Sequence, residues 1–295
     1  VPDRADAAVA LGNIKDNDSV VSALGDAARG DTFWGVRQEA IRALAKIDSS
    51  AARKQVLAAL SNEQPWVRLV AVEQMGRFQN DEDAIKRLQK IYKDDRAYSV
   101  RSTALQSLAQ DKAPGAVELL RKALTTPSPD DVLRRASLRA MGALGDYSVA
   151  PSLLEWSAPG KPSALRGIAI GSLGRVDLKN PEVTVRLISY LKESSFDIRF
   201  ASIFALGRRG DPAAIEPLEA LLKSGQLSIS VPHSLEGLIE QLKAKNAPQK
   251  DSPSPAAANN NQAVLDRLDQ IDHQITDIND RLRRMESSLP VGKSD

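Results

Sequence analysis

The chain of 295 residues has no cysteine, two histidines and only 4% aromatic residues. Without thiols there are no disulfides, no thiolate metal ligands and no cysteine nucleophile. His233 and His273 are too few for a metal centre, which needs three or four converging ligands. Neither is followed by Glu, so the H-E-x-x-H helix of zinc peptidases is missing. No serine has a His and a carboxylate in recognisable spacing. Gly142, Gly174 and Gly207 lack the preceding strand that a phosphate-cradling loop requires. No apolar run approaches the roughly 18 residues of a membrane span. Forty basic residues against 38 acidic ones give a formal charge of +2, far from the basic footprint of a nucleic-acid binder. The chain opens on Val1-Pro2-Asp3 with no signal peptide in view, and we expect a processed or excised piece of something longer.

What is present is 42% apolar content, mostly Ala, Leu, Val and Ile, a mixture that suits closely packed helices better than sheets. It recurs. Arg4, Arg37, Arg68, Arg101, Arg134, Arg166 and Arg199 follow one another at steps of 33, 31, 33, 33, 32 and 33. Seven residues after each stands Leu or Met: Leu11, Leu44, Met75, Leu108, Met141, Leu173 and Leu206. Gly or Ala comes next, and a small residue such as Ala40, Ala71 or Ala104 sits three after the arginine. RRASLRAMGALGD from Arg134 aligns without a gap on RFASIFALGRRGD from Arg199. A fixed period of about 33 over seven copies is a tandem array. In each copy the arginine, the small residue and the Leu/Met share one face of a first helix. Asp16, Asp48, Asn80, Asp111, Asp146, Asn180 and Asp211 are expected to cap a second helix, with its own stripe such as Val56, Leu57 and Leu60. Neither stripe is buried by one helix alone, so the copies must stack as an all-α solenoid.

The pattern VRxxAxxALG followed by a capped second helix resembles the HEAT repeat, in particular its phycobilisome-lyase-like variety. The resemblance spans Arg4 to Leu242 and implies a helical solenoid that binds other proteins. A bilin lyase or chaperone is what the repeat type alone would suggest. An eighth copy near Val231–Lys245 keeps Leu235, Leu238, Ile239 and Leu242 but has Pro232 in place of the arginine, and reads as a cap. More narrowly, DTFWGVRQEAIRALAKI is similar to the C-terminal HEAT-like region of aminopeptidase N-type zinc metallopeptidases. That likeness implies a non-catalytic domain with a catalytic portion upstream, secreted or cytoplasmic, and carries over no catalytic residue.

The expected domains are the solenoid over 1–245, a Pro-, Ser- and Asn-rich linker over 246–262, a coiled-coil helix over 263–289 and a tail over 290–295. In the helix, Leu268, Ile275, Leu282 and Leu289 occupy a positions and Val264, Ile271, Ile278 and Met285 occupy d positions of a strict heptad. It predicts self-association or docking into a partner's groove. The arginine column is expected to tie repeat to repeat, with Asp31 and Asp95 as partners of Arg37 and Arg101. Trp34, Trp66, Tyr98 and Phe196 are expected to seal the seams between repeats. The second helices are expected to line the concave face, where Arg53, Lys54, Lys86, Arg87, Lys90, Arg121 and Lys122 would meet a partner, with Glu155, Glu216 and Glu219 further along. The reading is a non-catalytic scaffold with protein partners, no cofactor, no nucleic acid and no membrane span.

Overall fold

The computed structural model describes residues 2–15, 17–78, 81–225 and 231–246. The heptad segment and residues 247–262 of the expected linker lie outside them, as do Asp16 and Asn80, while Asn246 still belongs to the last helix. Among the described residues the regular structure is helical throughout. First helices are α1 (Pro2–Leu11), α3 (Trp34–Ile47), α5 (Pro65–Met75), α7 (Tyr98–Gln110), α9 (Val132–Leu144), α11 (Ser163–Leu173) and α13 (Phe196–Arg209). Second helices are α2 (Asp18–Gly30), α4 (Ser50–Ala58), α6 (Glu82–Asp94), α8 (Ala116–Thr125), α10 (Ala150–Ser157), α12 (Pro181–Tyr190) and α14 (Ile215–Lys223), and α15 (Val231–Asn246) closes the array.

Each first helix packs on the first helices before and after it, from α1 to α13. The second helices touch the next unit's first helix more closely than their own, α4 excepted, and touch one another much less than the first helices do. No unit therefore has a private core. Leu44, Met75, Leu108, Met141, Leu173 and Leu206 are all fully buried by this stacking. The small residue three after each arginine sits on the preceding unit's second helix, as Ser137 Oγ donating to Leu120 O and Ser202 Oγ donating to Leu187 O show. In the first unit, α1, Ala7 is exposed and Ala8 is buried instead.

The first-helix layer is close because small residues face each other across it. A Cβ on Gly174 would lie 2.7 Å from Ala205 Cα, and one on Gly142 would lie 2.7 Å from Ser172 Cβ. Ser107 and Ser172, on the same side, donate to Val72 O and Leu138 O of the previous first helix at 3.0 and 2.8 Å.

The expected caps are met at three sites: Asn180 accepts from Glu182 N, Asp146 from Ser148 N and Asp211 from Ala213 N. Elsewhere they shift by a residue or more. Asp48 takes a left-handed conformation (φ 56°) and ends α3, while Ser49 caps α4. Asn17 and Asp81 cap α2 and α6. Asp111 ends α7, and Gly115 at φ 77° precedes α8. A short turn between antiparallel helices needs a residue that tolerates positive φ, and Asp tolerates it better than Ser. In α15, Leu235, Ile239 and Leu242 are buried, and Leu238 lies against Gly207.

Candidate functional site

The arginine column points into the seams. Arg68 Nε and Nη2 donate to both oxygens of Asp95 at 2.8 and 2.9 Å, and Nη1 donates to Asn62 O and Glu63 O. Arg4 grips Asp31 in the same fork at 2.9 and 3.2 Å, and Arg166 reaches Glu193 at 2.7 Å while donating to Ser157 O. In all three the carboxylate comes 27 residues later, in the turn that opens the next unit. Asp31 and Asp95 are therefore partners of the preceding arginine, one unit earlier than expected. Arg37 and Arg101 instead donate to backbone, at Asp31 O (2.6 Å) and Tyr92 O (2.7 Å). Arg134 and Arg199 likewise donate to Leu124 O and to Glu193 O and Ser194 O. The column ties the stack together by satisfying carbonyls at the ends of helices.

Burial alone would push the Asp95 carboxyl up, but the Arg68 fork, the Ala97 N–H and the charges of Arg68 and Arg96 outweigh it and hold it low. Asp31 is also lowered, chiefly by its hydrogen bond from Arg4. A carboxylate whose folded-state pKa is depressed stabilises the fold above its unfolded value near 4. That contribution fades as pH falls through the lower folded value.

The aromatic residues at the turns do not seal the seams. Trp34 and Trp66 are 47% and 58% exposed, Phe196 is exposed, and Phe33 and Trp34 rest on each other at 5.4 Å. They stand in the first turn of their helices, where side chains lean toward the N-terminal end, past the edge of the neighbouring unit. Tyr98 is partly buried under Arg101. Trp156, on α10, has Lys161 and Arg134 over its ring at 4.4 and 5.7 Å.

The basic candidates Arg53, Lys54, Lys86, Arg87, Lys90, Arg121 and Lys122 all fall on second helices α4, α6 and α8. Much of their charge is returned locally. Arg53 pairs with Asp48 at 2.8 Å and lies over Phe78. Lys86 pairs with Glu82, Arg87 with Asp83 and Arg121 with Glu118 on the same helix. Arg121 also donates to Ser148 O of the next unit. Of the acidic candidates, Glu155 meets Lys161 and Glu219 meets Lys243, both at 2.9 Å. The layer they occupy is the loosely spaced one. A stack whose two layers are unequally spaced has its inner side on the tighter layer, which here is formed by the first helices.

On that tighter layer the position five after each ladder arginine is at least partly exposed: Val9, Arg42, Glu73, Gln106, Arg139, Gly171 and Phe204. Only Arg recurs in this column, whereas the column two residues on is Leu or Met every time.

One polar centre went unread in the sequence. Arg209 is buried and donates from Nε to Thr184 Oγ1, from Nη1 to Leu173 O and Val176 O, and from Nη2 to Asp177 O and Asn180 O. Thr184 in turn donates to Asp211 at 2.7 Å. Desolvation presses the guanidinium pKa down, opposed by Asp211 and Asp177. The signal was available: ten after each ladder arginine stand Ile14, Ile47, Phe78, Asp111, Leu144, Val176 and then Arg209, a cation in a mostly apolar column.

Among the described residues no three His, Asp or Glu side chains converge to hold a metal, and no helix is long and apolar enough to cross a membrane.

A family model for HEAT repeats matches residues 21–109, 95–174 and 159–229. Among solved structures, YibA of E. coli is 17% identical with a TM-score of 0.50, covering 80% of this chain and 96% of that one. The complex of CpcE and CpcF of phycocyanin lyase from Nostoc is 22% identical with a TM-score of 0.48, covering 75% and 94%. Human deoxyhypusine hydroxylase, solved with glycerol, is 16% identical with a TM-score of 0.36, covering 77% and 97%. No curated protein matches. With the repeat model spanning residues 21–229 and the stacked helix pairs bearing out its architecture, the chain belongs to the HEAT repeat family.

Proposed function

We propose that the chain is a non-catalytic interaction module whose partner is another protein, held along the first-helix face of the stack. One observation carries this reading. The columns that stacking needs repeat from unit to unit, and the exposed column Val9, Arg42, Glu73, Gln106, Arg139, Gly171 and Phe204 does not. A surface freed from the repeat can specify a partner, and the tighter layer offers it one continuous face. The paired charges of Arg53, Lys86, Arg87 and Arg121 leave the second-helix strip less suited to that task, since returned charge contributes little to recognition.

Photo-crosslinking discriminates the faces. With benzoylphenylalanine at Gln106, on α7, a partner protein is expected to crosslink in the native cell extract. The same group at Lys86, on α6, is expected to leave it uncoupled. Crosslinks only from Lys86 would move the contact to the second helices, and none from either site or from Phe204 would end the reading.

We place oligomerisation in the heptad sequence from Val264 to Leu289, whose Leu and Ile stripe needs a partner to be buried. A chain ending at residue 262 is expected to sediment as a monomer where the full chain is oligomeric, with the same helicity per solenoid residue. Identical sedimentation of the two would refute it.

A further inference from the structure

On α13, Phe196, Phe200 and Phe204 form a ladder, with ring centroids 5.6 Å apart for the first pair and 4.5 Å for the second. Phe196 is exposed, and Phe200 and Phe204 are half-buried. The first pair is stacked and the second edge to face, and a row of rings partly open to solvent on a helix surface costs free energy unless something covers it. Phe200 and Phe204 are one and five residues after the ladder arginine. The same two positions on α11, packed directly against α13, are Gly167 and Gly171. A Cβ added at either glycine would meet nothing within 4 Å. On α9, packed against the other side of α11, those positions are Arg135 and Arg139.

Three adjacent helices thus present an aromatic row, a bare floor and a basic row. Neighbouring helix axes lie roughly 8–10 Å apart, so the two rows stand about 16–20 Å from each other, with room for a peptide between them. The three helices hold seven arginines and one acidic residue, Asp197. Arg134, Arg166 and Arg209 face Asp131, Glu193 and Asp211 from the adjoining turns, and Arg135, Arg139 and Arg208 each engage a neighbour within the fold, so the basic excess is a net one over the three helices. Glycines inside a helix lower its stability by about 1 kcal/mol each relative to alanine, so two of them four residues apart need a reason. Across the layer Gly174 meets Ala205 closely, whereas Gly167 and Gly171 face open space.

From this juxtaposition we infer that the trough over α11 is a docking site for an acidic segment of a partner protein, one that presents a Phe, Trp or Leu side chain flanked by Asp or Glu. The apolar side chain lies across the glycine floor against Phe200 and Phe204, and the carboxylates face Arg135 and Arg139. The inference rests on the interaction-module reading and names the partner's chemistry.

The test is a random dodecapeptide library displayed on phage and selected against the immobilised full chain. The enriched peptides are expected to share an aromatic or leucine within a run of acidic residues. Synthetic copies of them are expected to bind about tenfold more weakly to Gly171→Glu and to Phe204→Ser, and about fivefold more weakly to Arg139→Glu. Gly171→Glu adds a good helix former where space is open, so its melting temperature should be unchanged or raised. Should Phe204→Ser disturb folding, Gly171→Glu alone decides. No enrichment, enrichment of basic or patternless peptides, or binding indifferent to Gly171→Glu would overturn the site. Peptides that bind indifferently, together with a crosslink from Gln106, would leave the interaction module standing without this trough. Failure of the crosslinks would remove the reading beneath it.

Discussion

Replacing Leu173 by Asp is expected to destabilise the middle of the array by about 4–5 kcal/mol. Leu173 is fully buried on α11, between α9 and α13. The substitution removes a buried leucine, which costs about 3 kcal/mol once the residual cavity is included. It also sets a carboxyl in apolar surroundings, where it must either protonate or remain charged without a partner. Arg166 is engaged with Ser157 O and Glu193, and Arg209 with the turn after α11, so neither cation is at hand to compensate. Thermal unfolding followed by circular dichroism should show an early transition that carries part of the helical signal. A melt superimposable on the unsubstituted chain would mean the register assigned to this column is wrong.

Arg209→Ala is the second large effect, at about 3–5 kcal/mol. The guanidinium fills the turn that follows α11, where Asp177 adopts a left-handed conformation (φ 47°) and the backbone carbonyls of Val176, Asp177 and Asn180 all point at it. Removing it strands Val176 O, takes the side-chain donor from Leu173 O, Asp177 O and Asn180 O, buries Thr184 Oγ1 without its guanidinium partner and leaves a void beside it, at roughly 1 kcal/mol for each hydrogen bond lost. For a chain of this length 1 kcal/mol moves a melting temperature by about 2–4 °C, so a loss near 10 °C is expected. Arg209→Lys should recover little, because a single ammonium does not reproduce a fork that serves five acceptors. If Arg209→Lys melts with the parent, the fork is not what holds the turn.

The array was legible because stacking makes the same demand of every unit. A column that must fill one seam must fill all of them, and Leu44, Met75 and Leu108 repeat for that reason. The arginine column was legible in role but not in partner. Each carboxylate stands near two arginines in sequence, and only the offset of one unit on the next decides that Asp95 serves Arg68. The caps were misplaced where a residue with positive φ intervenes, as at Asp48, since Asp suits both a cap and a left-handed turn. Trp34 and Trp66 misled because an aromatic beside a seam looks the same in sequence whether it tucks inward or leans past the edge. The inner face was misassigned because the spacing of a layer depends on small residues meeting across it, as Gly174 meets Ala205, and such pairs lie in different repeats. The trough of Gly167, Gly171, Phe200 and Phe204 breaks the repeat at exposed positions, which a search for recurrence passes over.

The account stands on helix pairs that share their buried surface with the pair on either side. Amide hydrogen exchange on Leu173→Asp tests this most directly. Slow exchange should persist through α3, α4 and α5 while protection collapses across α9 to α13, because a lesion in a stack spreads through neighbouring contacts and weakens with distance. Uniform loss of protection from α3 to α15, all amides opening together, would show one indivisible core and contradict it.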